Sequence, residues 1–206
     1  MYRDRKVALV IPAYNEERLI RPTLESAHEL IDRVYVVDDG SDDDTREVVR
    51  ELAKTDSRIE LVEHGSNRGV GRAIITGYLL ASGDAFDLVV VVGGDHQMPM
   101  EQIPELLDPL IEGQADYTKG NRFLMPDTGL DDMPWTRYLA NALISIMTKV
   151  ASGYYKIFDV VDGFTAITKR SIDLVDWEGA WEGYGYPMDF LVRLNVYGLK
   201  VRDIPR

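Results

Sequence analysis

The chain has 206 residues, 45% of them hydrophobic and 28% charged, with no cysteine and a formal net charge of −12. That length and apolar content describe a single domain over 1–206 with its own core, and no repeat, low-complexity tract or glycine-serine linker divides it. The lack of cysteine excludes disulfides and thiolate metal sites, and the acidic balance argues against nucleic acid, whose phosphates require a basic face.

In chain order, Val7-Ala8-Leu9-Val10-Ile11 reads as a strand buried on both faces that breaks at Pro12-Ala13-Tyr14-Asn15-Glu16-Glu17. A second strand, Val34-Tyr35-Val36-Val37, runs into Asp38-Asp39-Gly40-Ser41-Asp42-Asp43-Asp44-Thr45, with Val48, Val49 and Leu52 at helical spacing behind it. Capping of that helix falls to Ser41 and Asp42, and Gly40 suits a positive φ. Asn67-Arg68-Gly69-Val70-Gly71-Arg72-Ala73 is a glycine-punctuated turn entering a helix. It suits an approaching phosphate, with Arg68 and Arg72 as fixed-charge donors, and it is equally a form that plain loops take.

The most informative stretch is Leu88-Val89-Val90-Val91-Val92, a buried strand that stops at Gly93-Gly94-Asp95-His96-Gln97. Oxygen donors at Asp95 and Gln97 suit a hard cation, Mg²⁺ or Mn²⁺, and such a cation suits a diphosphate; the bland reading is that Gly93, Gly94 and Asp95 only make the turn. Strand, turn and helix in repetition predict an α/β fold with a mainly parallel sheet, right-handed crossovers and helices on both faces. Asn15, Asp39 and Asp95, each past the end of a strand, should then converge at one edge. His28, His64 and His96 lack ligand spacing and receive no chemistry. Leu139–Val150 is apolar but only about three helical turns long, too short to span a bilayer. It fits an interfacial helix, a cover for a groove, or an ordinary core helix.

Taken together, VIPAYNEE, VVDDGSDDDT, NRGVGRAIITG, GGDHQMP, KGNRF (119–123), DGFTAIT (162–168) and YGYPMDFLVRLNVYG resemble the nucleotide-sugar-dependent glycosyltransferases of family 2. The resemblance covers nearly the whole chain and is nearest to the dolichyl-phosphate mannose or glucose synthase branch. It implies a single Rossmann-like GT-A domain and a GDP- or UDP-linked sugar donor. Asp39 would accept a hydrogen bond from the imino group of uracil or the donor edge of guanine. Pro12, Tyr14, Asn15 and Glu16 would lie beside the nucleotide, Glu16 as the ribose contact, with Arg68, Gly69, Arg72 and Gly94 around the phosphates. Gly93 stands where the family carries a further aspartate, so the metal would rest on Asp95, Gln97, the diphosphate and water, bound weakly before the donor arrives.

Arg122 and Arg137 match basic positions facing a polyprenyl phosphate in that branch, against the alternative of surface salt bridges. Asp189 matches a carboxylate near the acceptor. It would be the general base if the acceptor were a hydroxyl, and would orient the sugar or an arginine if the acceptor were an already ionised phosphate. No signal peptide or membrane span is read from the sequence, and the resemblance implies a cytoplasmic active site, peripheral at the membrane face. The chain's end at Val201–Arg206 is abrupt for the branch, fitting either a minimal soluble form or a shortened chain. Three readings follow: an inverting, metal-dependent transferase acting on a polyprenyl phosphate; the same domain acting on a hydroxyl acceptor in polysaccharide or glycolipid synthesis; and a nucleotide-sugar-binding module with weak turnover.

Overall fold

The computed structural model describes residues 1–122, 153–155, 157 and 159–206. Its elements are β1 (Val7–Ala13), α1 (Ile20–Glu25), β2 (Arg33–Asp38), α2 (Thr45–Ala53), β3 (Ile59–Glu63), α3 (Val70–Gly83), β4 (Leu88–Val91), α4 (Ile103–Ile111), β5 (Tyr117–Asn121), β6 (Thr165–Thr168), α5 (Lys169–Leu174), α6 (Tyr186–Val196) and β7 (Val201–Pro205). Leu139–Val150, Arg137 and Phe123 lie outside the described residues.

The strands form one sheet in the order β3-β2-β1-β4-β6-β5-β7. The first four run parallel, as the strand-turn-helix rhythm requires, and β5 pairs parallel with β7. Strand β6 departs from the rhythm, running antiparallel to both β4 and β5. Its direction follows from its connection, because the chain leaves β5 and re-enters β6 at the same edge. That edge therefore collects the carboxyl ends of six strands and the amino end of β6.

Alternation within the buried strands divides the core between two faces. Ala8, Val10, Tyr35, Val37, Val89 and Val91 pack beneath α3, α5 and α6, whereas Val7, Leu9, Ile11, Val34, Val36 and Val90 pack beneath α1, α2 and α4. Helix α3 approaches so closely that a Cβ on Gly77 would sit 2.3 Å from Cγ1 of Val10. Gly77→Ala should therefore overpack the α3–β1 contact and lower stability by about 1 to 3 kcal/mol. Urea unfolding of the variant beside the parent would measure the loss.

Candidate active site

A cavity of about 270 Å³ opens at the collecting edge, between the ends of β1, β2 and β4 and the N-terminus of α3. Of the residues expected there, Pro12, Tyr14, Glu16, Asp39, Gly69, Gly94 and Asp95 line it. Asn15, Arg68, Arg72, Gln97, Arg122 and Asp189 do not.

Asp39 directly follows β2 and is buried. Its Oδ1 accepts from the backbone N–H of Arg68 at 3.0 Å and contacts ring Nδ1 of His64 at 2.7 Å, and its Oδ2 accepts from the backbone N–H of Gly69 at 2.7 Å. The other ring nitrogen of His64 lies 3.0 Å from the Thr76 hydroxyl. One carboxylate thus fastens the glycine turn to the sheet. Asn15 turns away from the cavity, its Oδ1 accepting from the backbone of Asp42 while its own N–H donates to Ser41 Oγ. The capping expectation for Ser41 and Asp42 is corrected. Asp43 takes the amide and hydroxyl of Thr45, because its side chain is the one that reaches forward to the first residue of α2.

The glycine turn also differs from the phosphate cradle expected of it. A Cβ on Gly69 would lie 2.3 Å from the carbonyl oxygen of Glu182, and one on Gly71 would lie 2.5 Å from that of Trp181. The glycines thus admit the 181–183 backbone rather than a phosphate. Gly71 N–H donates to the Glu182 carbonyl at 2.7 Å, so with Asp39 on Arg68 and Gly69 these amides are satisfied within the protein. Both guanidinium groups turn to the Glu182 carboxylate, Arg68 at 3.5 Å and Arg72 at 3.8 Å, in exposed pairs worth little energy.

Asp95 is lightly held, its Oδ1 meeting only the backbone N–H of Gln97 at 3.3 Å. Glu16 faces it across the space that Gly94 leaves, where a Cβ would meet Glu16 Cγ at 3.3 Å. Burial first, then the charges of Asp95 and Asp43, push the Glu16 carboxyl above its ordinary value. Two carboxylates in mutual repulsion are a setting that favours a cation, so the residues present fit a divalent metal held by Asp95. Gln97 is exposed and lines a separate depression with His28 and His96. Among the described residues no cluster of three or more His, Cys, Asp or Glu could hold a metal unaided.

Arg122, expected at the acceptor phosphate, is paired within the protein. Its guanidinium grips the fully buried Asp159 with two bonds, 2.7 and 2.8 Å, beside a second pair between Arg206 and Asp162 at 2.6 Å. Burial alone would raise the Asp159 carboxyl, but the Arg122 bonds outweigh it and hold the group below its ordinary value. Arg137 lies outside the described residues. Asp189 is half-buried in the first turn of α6, where its Oδ2 accepts from the backbone of Trp181 at 3.0 Å and from Nε of Arg193 at 2.8 Å. It anchors the 181–185 loop rather than facing the cavity.

Two cavity features were missed in the sequence. Tyr184, 94% exposed, joins Tyr14 at the rim, and His64 sits behind Asp39. The signal for His64 was its position just past the end of β3, the strand beside β2.

The sequence profile of the family described as glycosyl transferase family 2 matches residues 8–175. The chain is 27% identical over 215 residues to the UDP-N-acetylglucosamine–dolichyl-phosphate N-acetylglucosaminyltransferase of Methanococcus voltae, covering 98% of this chain and 85% of that protein. It is 26% identical over 205 residues to the polyprenol monophosphomannose synthase of Mycolicibacterium smegmatis, covering 98% and 76%. In fold it is similar to glucosyl-3-phosphoglycerate synthase of Mycobacterium tuberculosis, crystallised with Mn²⁺, UDP-glucose and phosphoglyceric acid. That likeness has a TM-score of 0.73 at 21% identity, over 98% of this chain and 70% of that one.

Removing Arg122 strands a buried Asp159 charge, so Arg122→Ala should cost about 3 to 5 kcal/mol of stability in urea unfolding at neutral pH. Because the folded pKa of Asp159 is depressed, that loss is present above the unfolded carboxylate value and should shrink as pH falls through the folded one. Glu16 has the opposite sign. Its folded pKa is raised, so Glu16→Gln should stabilise the fold at neutral pH, by a few tenths of a kcal/mol after solvent screening, and the gain should vanish below the ordinary glutamate range. Thermal melts of the two variants beside the parent across pH 2 to 8 would check both signs.

Proposed function

The chain belongs to glycosyl transferase family 2, and we propose that it moves a hexose from a GDP- or UDP-linked donor to a polyprenyl phosphate, with inversion at the anomeric carbon. The observation that carries this reading is the meeting of Asp39 and Asp95, remote in sequence, on one cavity at the carboxyl edge of the parallel strands. The base would lie toward Asp39, the ribose beside Glu16 and the diphosphate toward Asp95. Asp95, with the donor's own phosphates, would hold Mg²⁺ or Mn²⁺, and that cation when bound supplies positive charge for the departing nucleoside diphosphate.

Two observations favour a phosphate acceptor over a hydroxyl. The relatives from Methanococcus voltae and Mycolicibacterium smegmatis are named for dolichyl-phosphate and polyprenol monophosphate chemistry. Asp189, the residue a hydroxyl acceptor would need as its base, is engaged by Arg193 and the Trp181 amide. A phosphate oxygen is already an anion. It forms the new bond to the anomeric carbon as the bond to the diphosphate breaks, the electron pair leaves with the diphosphate oxygen, and no proton moves. A lipid-borne acceptor places this reaction at a membrane surface. Among the described residues, no helix is long and apolar enough to cross one.

Transfer of radiolabelled sugar to a short polyprenyl phosphate, with the matching polyprenol as control, tests the proposal. Product is expected with the phosphate alone. Asp95→Ala should lower the rate by about one to two decades, while Asp189→Asn should lower it by less than about tenfold. Transfer to the alcohol, with collapse in Asp189→Asn, would favour the hydroxyl acceptor instead.

A further inference from the structure

The turn that carries Asp95 does little to hold itself. Gly93 and Gly94 bring wide backbone freedom, and His96 takes a positive φ of 54°, which is strained for a residue with a side chain. Within 93–98 the Gly93 N–H meets the Met98 sulfur at 3.4 Å and the Gln97 N–H meets Asp95 Oδ1 at 3.3 Å. The first is weak by chemistry and the second by length. Gly94 is buried, and among the described residues no backbone N–H reaches its carbonyl.

The partner of that carbonyl is the hydroxyl of Thr23, which reaches it at 3.0 Å from α1. Thr23 is fully buried. Its hydroxyl also lies 2.8 Å from the Leu19 carbonyl, but that oxygen already accepts the Thr23 N–H at 3.1 Å. A hydroxyl has one proton to give, and Gly94 is the acceptor that depends on it. The same helix holds Glu16, whose carbonyl accepts from the N–H groups of Leu19 at 3.0 Å and Ile20 at 2.8 Å. Glu16 and Gly94 thus hang from one short helix, and a Cβ on Gly94 would lie 3.5 Å from Ile20 Cδ1.

We propose that Thr23 is a positioning residue for the cation: its buried hydroxyl fixes the Gly94 peptide and, through it, holds Asp95 toward Glu16 and the cavity. The inference rests on the divalent-metal role given to Asp95 under the proposed function, and adds a residue that sets it from outside. Thr23 does not line the cavity. Valine has nearly the same shape but no proton to give, so it would leave the Gly94 carbonyl buried without a partner.

Calorimetric titration of the full chain with UDP and with GDP, each with and without Mn²⁺, gives the factor by which the cation tightens nucleotide binding. The nucleotide that the parent binds more tightly is then carried to the variants. In Thr23→Val the factor should fall about five- to tenfold, with metal-free affinity unchanged within about twofold. Thr23→Ser keeps the hydroxyl and should keep the factor, whereas Thr23→Ala should lose it as valine does. Hydrogen exchange of the 94–98 amides, read without nucleotide or metal, should quicken in the valine and alanine variants and not in the serine one. The hydroxyl is thereby tested in two pairs, Thr with Val and Ser with Ala, and either pair decides if the other does not fold. An unchanged factor or unchanged exchange in a hydroxyl-free variant with native circular dichroism would overturn the proposal, as would an equal loss of metal-free affinity. A parent chain whose nucleotide binding ignores Mn²⁺ would overturn the cation at Asp95 itself, and this inference with it.

Discussion

Parallel strands joined by crossovers on the faces of a sheet must all finish at one edge, and that constraint organises everything chemical in this chain. Strands β1, β2 and β4 have no polar residue in their buried interiors apart from Asp38 at the last position of β2. Polar groups are held back to the turns that follow, where Asn15, Asp39 and Asp95 stand. The antiparallel β6 extends the same edge, because it starts where β5 stops. Asp162, just before β6, thereby meets Arg206, just past β7, and the Arg122–Asp159 pair forms alongside. One edge thus carries two different electrostatic regions. One is an open acidic cavity and the other is a closed set of ion pairs.

Close backbone approach is the second constraint, and it couples the cavity to the loop above it. Gly69 and Gly71 lie against the carbonyls of Trp181 and Glu182, and the Glu182 carbonyl takes the Gly71 amide. Asp39 holds the same turn from the other side, and Asp189 holds Trp181. Strand β2, the turn, the 181–185 loop and α6 therefore form one continuous set of bonds running past the cavity. Asp39 sits at its root, so its carboxylate does structural work as well as lining the cavity. A cavity wall built this way is braced on the Asp39 side, which favours recognition by fixed geometry over rearrangement.

Much of this was legible in the sequence because local rules decide it. Uninterrupted apolar runs at 7–11, 34–37 and 88–92 can only be strands covered on both faces, and the turns after them had to share an edge. What the sequence could not disclose is which partner a long, charged side chain selects. Arg68, Arg72 and Arg122 read equally well as phosphate ligands, and each is instead met by a carboxylate far along the chain, Glu182 or Asp159. The same limit hid the pairing of His64 with Asp39, since adjacency across β2 and β3 is a property of the sheet. Gly69 and Gly71 were legible as a need for space. Whether a phosphate or a neighbouring backbone occupied it depended on a loop more than a hundred residues away.

The pairing of those arginines bears directly on the chemistry of the cavity. With Arg68 and Arg72 turned toward Glu182, and Arg122 bonded to Asp159, the charged groups lining the space are Glu16, Asp39 and Asp95. A diphosphate entering a cavity lined by three acids meets like charge, and burial strengthens that repulsion. Burial first, and then the charges of Asp95 and Asp43, already raise the Glu16 carboxyl before any ligand arrives. On the proposed function, an anionic donor and an acidic site are reconciled by a cation between them, and Asp95, whose carboxylate meets only the Gln97 amide, is a group that can hold it. The glycine at position 93 follows the same logic. A Cβ there would stand 3.0 Å from Asp95 Oδ1, so a fourth carboxylate would crowd the one ligand the site depends on as well as add charge. A site with one protein carboxylate on the metal relies on the donor's phosphates to complete the shell, which makes metal and nucleotide binding two halves of a single event.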